Sequence, residues 1–312
     1  MIPRGLRIIF MGTPGFAVPC LQYLLEAGYP IVGVVTAPDK PGGRGLKQMI
    51  SSPVKQFAQS HHLPLFQPAS LKSKSFLSEL RGLNADLQVV VAFRMLPEVV
   101  WGMPPQGTIN LHGSLLPAYR GAAPIQWAII RGETRTGVTT FQMQHEIDTG
   151  AILFQRDIPI LEGDDAGTLH DRMMHVGAGL ILATVDQLCL GPIPALKQDQ
   201  ASASHAPKLH HADGMIRWSQ PVRMIYNLIR GLSPFPGAYT HAEGTEWKIL
   251  KSRIHSHDVK TTPGIIAVQD KKLLIQTGDG QLEILEAQLA GKRRMSAREL
   301  INGYPVRDWL LT

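Results

Sequence analysis

The chain has 312 residues, 44% of them hydrophobic and 18% charged, with a formal net charge of +6. That balance excludes a disordered or fibrous chain, and the length suggests about two domains. No apolar run reaches the roughly 18 residues of a membrane span.

In chain order, MIPRGLRIIF lacks the apolar core and cleavage region of a secretory signal and the Arg/Ser-rich lead of a transit peptide, so a cytoplasmic location without a membrane is expected. Leu6–Met11 reads as a strand ending in Gly-Thr-Pro. The turn MGTPGFA lacks GxGxxG, with Pro14 where the close-approach glycine would stand, which argues against a dinucleotide site. Phe16–Ala27 has helical spacing and Gly28 is its stop. Ile31–Thr36 is a β-branched strand, and Pro38–Lys47 (PDKPGGRGLK) puts Lys40, Arg44 and Lys47 on a Gly/Pro loop. Pro53–His61 is helical, Leu87–Phe93 and Thr108–Leu111 are strands, and Ala123–Arg131 is a helix. The alternation predicts an α/β, Rossmann-like parallel sheet with helices on its faces, and in such sheets ligands bind beyond the carboxyl ends of the strands. Leu169–Leu190 is a long helix, and Gly191–Lys208 is polar, Pro-punctuated and linker-like. Val222–Arg230 is helical, and Glu246–Ile254, Gly264–Val268, Lys272–Thr277 and Leu282–Leu289 are short strands, which predicts a small β-barrel. The expected division is 1–190, a linker at 191–208, and 209–312.

Charge is uneven along this order. Residues 205–312 hold 15 Lys+Arg against 10 Asp+Glu, whereas residues 1–204 hold 16 against 15. A basic last third fits a polyanionic partner such as nucleic acid, or a merely basic soluble domain. The run Lys292-Arg293-Arg294 reads either as a solvated face or as phosphate contacts. Cys20 and Cys189 belong to no CxxC pair and read as buried thiols, and the pairs His61-His62 and His210-His211 lack ligand spacing, so no metal is expected.

The chemistry concentrates in INLHGSLLPAYRG, residues 109–121. On a strand, Asn110 and His112 share one face, at the carboxyl end where this architecture places its sites. A carboxamide N–H stabilises an oxyanion, and an imidazole moves a proton or donates a second hydrogen bond. Asp148, in HEIDTGAIL, is the candidate carboxylate to orient the ring and favour its charged form. The three suit acyl transfer to a neutral amine through a tetrahedral intermediate, with no serine or cysteine nucleophile.

NLHGSLLPAYRGAAPIQWAIIRGE with IDTGAIL resembles the 10-formyltetrahydrofolate-dependent formyltransferases. FMGTPGFAVPCL, APDKPGGRGLKQMISSPVK and PKLHHADGMIRWSQPVRMIYNLIRGLSPFPGAYT are similar to the branch of that family that formylates methionyl-tRNA, and the likeness runs over nearly the whole chain. The resemblance implies a Rossmann-like catalytic domain and a smaller C-terminal OB-like β-barrel that contacts tRNA. It assigns catalysis to Asn110, His112 and Asp148. It places the folate along Ser114, Leu115, Leu116 and Pro117 and near Phe93, Arg94 and Met95. It implies that Phe16 lines the methionine pocket, and that the loop carrying Lys40, Arg44 and Lys47 enters the acceptor arm with Arg44 as the key contact. The implied partners are initiator methionyl-tRNA and 10-formyltetrahydrofolate, with the protein a monomer.

Three positions depart from the family pattern. Gly15 replaces an acidic residue, Gly113 stands where Pro or Ala is common, and Arg94 replaces a common Gly, where it either crowds the folate path or points to solvent. Two other readings keep part of this pattern: a folate enzyme acting on a small amine such as a nucleotide or amino sugar, and a non-catalytic tRNA-binding protein.

Overall fold

The computed structural model describes residues 4–42, 48–259, 261–306, 309 and 311. Packing divides the chain into two compact units, each discontinuous in sequence. The first comprises Met1–Gly121, Gly137–Ile158 and His170–His205, and the second Ala122–Thr136, Pro159–Leu169 and Ala206–Thr312.

The chain begins with β1 (Ile8–Gly12), buried at every position, then one 3₁₀ turn over Gly15–Ala17 and helix α1 (Val18–Glu26). A Cβ on Gly12 would lie 2.7 Å from the Ala17 Cβ and 3.1 Å from the Val91 carbonyl oxygen, so only glycine lets the chain turn this tightly out of the strand. Next come β2 (Ile31–Val35), β3 (Lys40–Gly42), β4 (Gln48–Ile50) and α2 (Pro53–Ser60). Ser52 caps α2, its Oγ accepting from Lys55 N at 3.1 Å, with Pro53 at the first helical position where no N–H is missed. Then follow β5 (Leu65–Phe66), α3 (Lys74–Gly82), β6 (Leu87–Val91), α4 (Glu98–Trp101), β7 (Thr108–His112), β8 (Arg120–Gly121), α5 (Pro124–Ile130), β9 (Arg135–Gln142), β10 (Ile152–Pro159), α6 (Ala166–Leu190) and β11 (His205–Ala206).

The main sheet has the order β10-β9-β7-β6-β1-β2-β5. Strands β5, β2, β1, β6 and β7 pair in parallel, as the alternation predicts. Strand β9 runs antiparallel to β7, so the sheet is mixed at that edge. Residues 143–151, which join β9 to the neighbouring β10, are too few for a parallel crossover, and Gln142 N donates to Ala151 O at 3.0 Å as in a hairpin. Helix α6 has 25 residues, and an 18-residue window within it has a mean hydropathy of 1.5, so by length and composition alone it could cross a membrane. One face of it packs into the protein: Met173, Ala178, Ile181 and Val185 are buried, and Thr184 Oγ1 meets Thr140 Oγ1 of β9 at 2.9 Å.

The segment read as a linker returns along the first unit as far as His205. Leu196 and Ile152 exchange two backbone hydrogen bonds of 2.8 Å, and Gln198 is buried.

The second unit adds α7 (Val222–Leu232), β12 (Ala238–Ala242), β13 (Thr245–Ser256), β14 (Ile266–Gln269), β15 (Lys272–Gln276), β16 (Gln281–Leu289), β17 (Met295–Ser296) and α8 (Ala297–Gly303). Along α7, Val222, Ile225, Ile229 and Leu232 recur every three or four residues and bury one face in a core with Trp247, Ile249, Leu282 and Ile284. The strands run antiparallel in the order β12-β13-β16-β15-β14, with β17 on β16. Register shifts along β13 bend it as bulges do. The result is OB-like but open, since the path has two ends, β12 and β14, among the described residues.

Candidate active site

Strand β7 sits inside the sheet, between parallel β6 and antiparallel β9, with Asn110 opposite Val90 on one side and Phe141 on the other. Alternation puts Ile109 and Leu111 on one face and Asn110 and His112 on the other. The Asn110 carboxamide is half-buried and has no hydrogen-bond partner among the described residues, so its N–H donors are free for a ligand. His112 is buried, and its Nε2 lies 2.8 Å from the Tyr119 carbonyl oxygen. A carbonyl only accepts, so Nε2 carries the hydrogen, and Nδ1 is the nitrogen left for proton exchange. Nδ1 faces Asp148 Oδ2 at 3.7 Å, an ion-pair separation too long for a hydrogen bond.

Asp148 takes φ +55°, a backbone conformation that side chains rarely adopt. Two bonds hold it there: its Oδ2 accepts from Gly121 N at 2.9 Å, and its carbonyl accepts from Gln198 Nε2 at 2.9 Å. Close by, a Cβ on Gly150 would fall 1.8 Å from the Gln142 carbonyl oxygen, so the turn into β10 requires glycine.

The loop after His112 is braced from three sides. Ser114 Oγ donates to Ala118 O at 2.5 Å, Thr139 Oγ1 donates to Ser114 O at 2.6 Å, and Gln155 Nε2 donates to Leu116 O at 2.8 Å. Tyr119 N donates to Ser204 Oγ and Arg120 N to Ser204 O, both at 2.9 Å. The Ser114 and Leu116 side chains are buried in this bracing, whereas Leu115 and Pro117 are half-buried and nearer solvent.

On the segment after β6, Met95 is exposed, Leu96 is buried, and Phe93 packs at the margin of the core. Arg94 is tied down rather than free in solvent. Its guanidinium lies 5.6 Å from the Phe93 ring centroid and donates to the carbonyls of Pro68 at 2.5 Å and Ala69 at 3.1 Å. Phe16 is buried, its ring centroid 5.1 Å from that of His170. A Cβ at Gly15 would meet nothing within 4 Å, so packing at that atom does not account for the absent carboxylate.

The basic residues divide. Lys40 is exposed on the β3–β4 ribbon and has no ion-pair partner among the described residues, while Arg44 and Lys47 lie outside them. In the last third, Arg293 bonds Glu299 at 2.6 Å and holds that carboxyl down at about 2, and Arg294 pairs with Glu286. Lys292 alone of the three has no carboxylate partner among the described residues. Arg293→Ala is therefore expected to raise Glu299 toward its ordinary 4.5, read by an NMR carboxyl titration. A depressed carboxyl stabilises above its ordinary value and loses that contribution as pH falls toward 2, so the variant should also show a smaller stability loss over that interval.

A cavity of about 660 Å³ opens elsewhere on the first unit, beside Ile9, Arg81, Asp86, Gln88 and Glu98, and none of the candidate residues lines it. No group of His, Cys, Asp and Glu able to hold a metal exists among the described residues. Reading the sequence alone misses Thr139, Gln155, Gln198 and Ser204, which hold the site without belonging to any motif. Gln198 and Ser204 carry no local signal, since both sit in a stretch that reads as a tether.

Two family models match the chain, "Formyl transferase" over residues 6–185 and "Formyl transferase, C-terminal domain" over 208–305. Among curated relatives, a Bacteroides fragilis protein named methionyl-tRNA formyltransferase is 48% identical over 99% of this chain and 98% of its own. Proteins of the same name from Parabacteroides distasonis and Geobacter metallireducens are 49% and 46% identical, each covering at least 96% of both chains. Among solved structures, HypX from Aquifex aeolicus in complex with tetrahydrofolic acid superposes with TM-score 0.68 at 18% identity, over 96% of this chain and 48% of that one. WlaRD, a sugar 3N-formyl transferase, superposes with TM-score 0.67 at 20% identity, over 93% of this chain and all of its own. These last two show the shared fold. Two matched models spanning nearly the whole length, close relatives covered end to end, and an Asn–His–Asp constellation at the sheet rim lead to one conclusion: the chain belongs to the formyl transferase family.

Proposed function

We propose that this enzyme transfers the formyl group of 10-formyltetrahydrofolate to the α-amine of methionine esterified to initiator tRNA. The observation that carries the reading is the unpartnered Asn110 carboxamide beside buried His112, whose Nδ1 faces Asp148 at 3.7 Å. Attack by the neutral amine forms an N–C bond and pushes the formyl carbonyl electrons onto oxygen. Asn110 N–H stabilises that oxyanion, and one such donor is typically worth about 2.7–4 kcal/mol. Collapse re-forms the carbonyl and breaks the bond to folate N10. The attacking nitrogen loses a proton and N10 gains one. His112 Nδ1 accepts the first as the ring becomes imidazolium, Asp148 stabilises that charge, and the proton passes on toward N10, directly or through water.

In this reading residues 1–190 supply the reacting groups, 191–208 lead on to the rest while bracing the site through Gln198 and Ser204, and 209–312 bind tRNA. The folate lies against Leu115 and Pro117 and along the backbone at Phe93, Arg94 and Met95, with Ser114 and Leu116 acting through the loop they brace. Phe16 lines the methionine pocket. Lys40, Arg44 and Lys47 grip the acceptor arm, and Lys292 contacts phosphate directly, whereas Arg293 and Arg294 exchange solvent-accessible carboxylate partners for phosphate at small cost. The protein works as a monomer, in the cytoplasm where translation starts.

The test is a formylation assay on charged initiator and charged elongator tRNA, with 10-formyltetrahydrofolate as donor. Product on methionyl initiator tRNA is expected. Formylation of a small amine with none on methionyl-tRNA overturns the acceptor, and tRNA binding without turnover overturns the enzyme. Arg44→Ala is expected to raise KM for tRNA about tenfold with KM for folate unchanged. Equal use of tRNA by the variant refutes the loop's role.

A further inference from the structure

Arg120 is buried, yet no carboxylate pairs with it among the described residues. Its guanidinium donates to two neutral acceptors instead: Gln198 Oε1, from Nε at 3.0 Å and Nη2 at 2.7 Å, and Gln200 Oε1, from Nη1 at 2.8 Å. Gln198 is itself buried, and both halves of its amide are in use. While its oxygen takes the arginine, its nitrogen donates to the carbonyls of Asp148 at 2.9 Å and Gly150 at 2.7 Å. The residue after Arg120, Gly121, donates its N–H to the Asp148 carboxylate. Arg120, Gln198, Asp148 and Gly121 therefore close a ring of contacts around the carboxylate that faces His112.

We propose that Gln198, on the segment that reads as a linker, is a positioning residue for the His112–Asp148 pair. The proposal rests on the formyl-transfer reading above. Its physical basis is directional. A buried amide whose oxygen is claimed by a guanidinium presents its N–H donors to the opposite side, and there they hold the left-handed backbone of Asp148. Without them the Asp148 carbonyl loses its bond, the unusual φ is no longer over-determined, and the carboxylate moves off Nδ1.

Gln198→Glu separates this role from a merely structural one. The substitution keeps an acceptor for Arg120 and adds a charge, so a residue needed only to neutralise the buried guanidinium would be improved by it. The same change removes both N–H donors and sets a carboxylate oxygen against two carbonyls. Expected is a fall in kcat for methionyl-tRNA of about tenfold to a hundredfold, with KM for tRNA and for folate within about twofold. Gln200→Ala, which removes only an exposed acceptor, should keep wild-type kcat.

Wild-type kcat in Gln198→Glu overturns the proposal. If Gln198→Glu melts early, Gln198→Met, which keeps the volume and loses all four contacts, is measured below its own melting temperature. A kcat loss equal to that of Gln200→Ala then overturns it. Failure of the wild-type protein to formylate methionyl-tRNA would instead refute the underlying reading, and the two failures are told apart in the same assay.

Discussion

Asn110→Ala is expected to lower kcat for formyl transfer about 10²–10³-fold, the usual cost of removing one oxyanion donor. The carboxamide makes no described hydrogen bond in the protein, so its loss leaves no partner unsatisfied and stability should hold. The interaction exists only once negative charge sits on the formyl oxygen, so the loss falls on kcat and leaves KM for methionyl-tRNA within about twofold. Steady-state kinetics with a filter-binding measurement of tRNA affinity checks this. A parallel fall in affinity and activity would mean that the residue shapes the fold and leave the oxyanion role unsupported.

Asp148→Asn is expected to lower kcat by about 10²–10⁴-fold, in the range of a disabled acid–base group. An asparagine oxygen can still accept from Gly121 N, and the Gln198 bond to the backbone carbonyl is untouched, so the loop should keep its place. What disappears is the negative charge 3.7 Å from Nδ1, and with it the stabilisation of imidazolium. His112→Ala should cost a similar amount. Because the two act as one device, the double variant should lose little more than either single variant. Additive losses would show that histidine and aspartate work independently.

Much of the fold is legible in the sequence for a local reason. The buried parallel strand IIFMG is a continuous apolar run, LQVVV is one broken only by buried Gln88, and α7 shows its buried face as a three-and-four spacing. Strands β9 and β10 are harder to see. In β10, exposed Gln155, Arg156 and Asp157 interrupt the apolar pattern, and β9 and β10 lie side by side as a hairpin because a short connection, not a helix, joins them. Helix α6 shows the converse limit, since its composition alone suits a bilayer as well as a protein core.

By itself the sequence determined many of the elements and the chemistry of the rim: strand alternation puts Asn110 and His112 on one face, and no other fold of that stretch is needed to pair them. Only the tertiary structure decided which ring nitrogen is free, because that depends on the Tyr119 carbonyl reaching Nε2. The tertiary structure also decided that Arg94 is tied to Pro68 and Ala69, that Arg293 and Arg294 are already neutralised, and that Gln198 leaves a tether-like segment to brace Asp148. The reason is one of range. Periodicity and turn chemistry act between neighbours along the chain, whereas a hydrogen bond between residues 50 apart, such as Gln198 to Asp148, exists only after the core has brought them together.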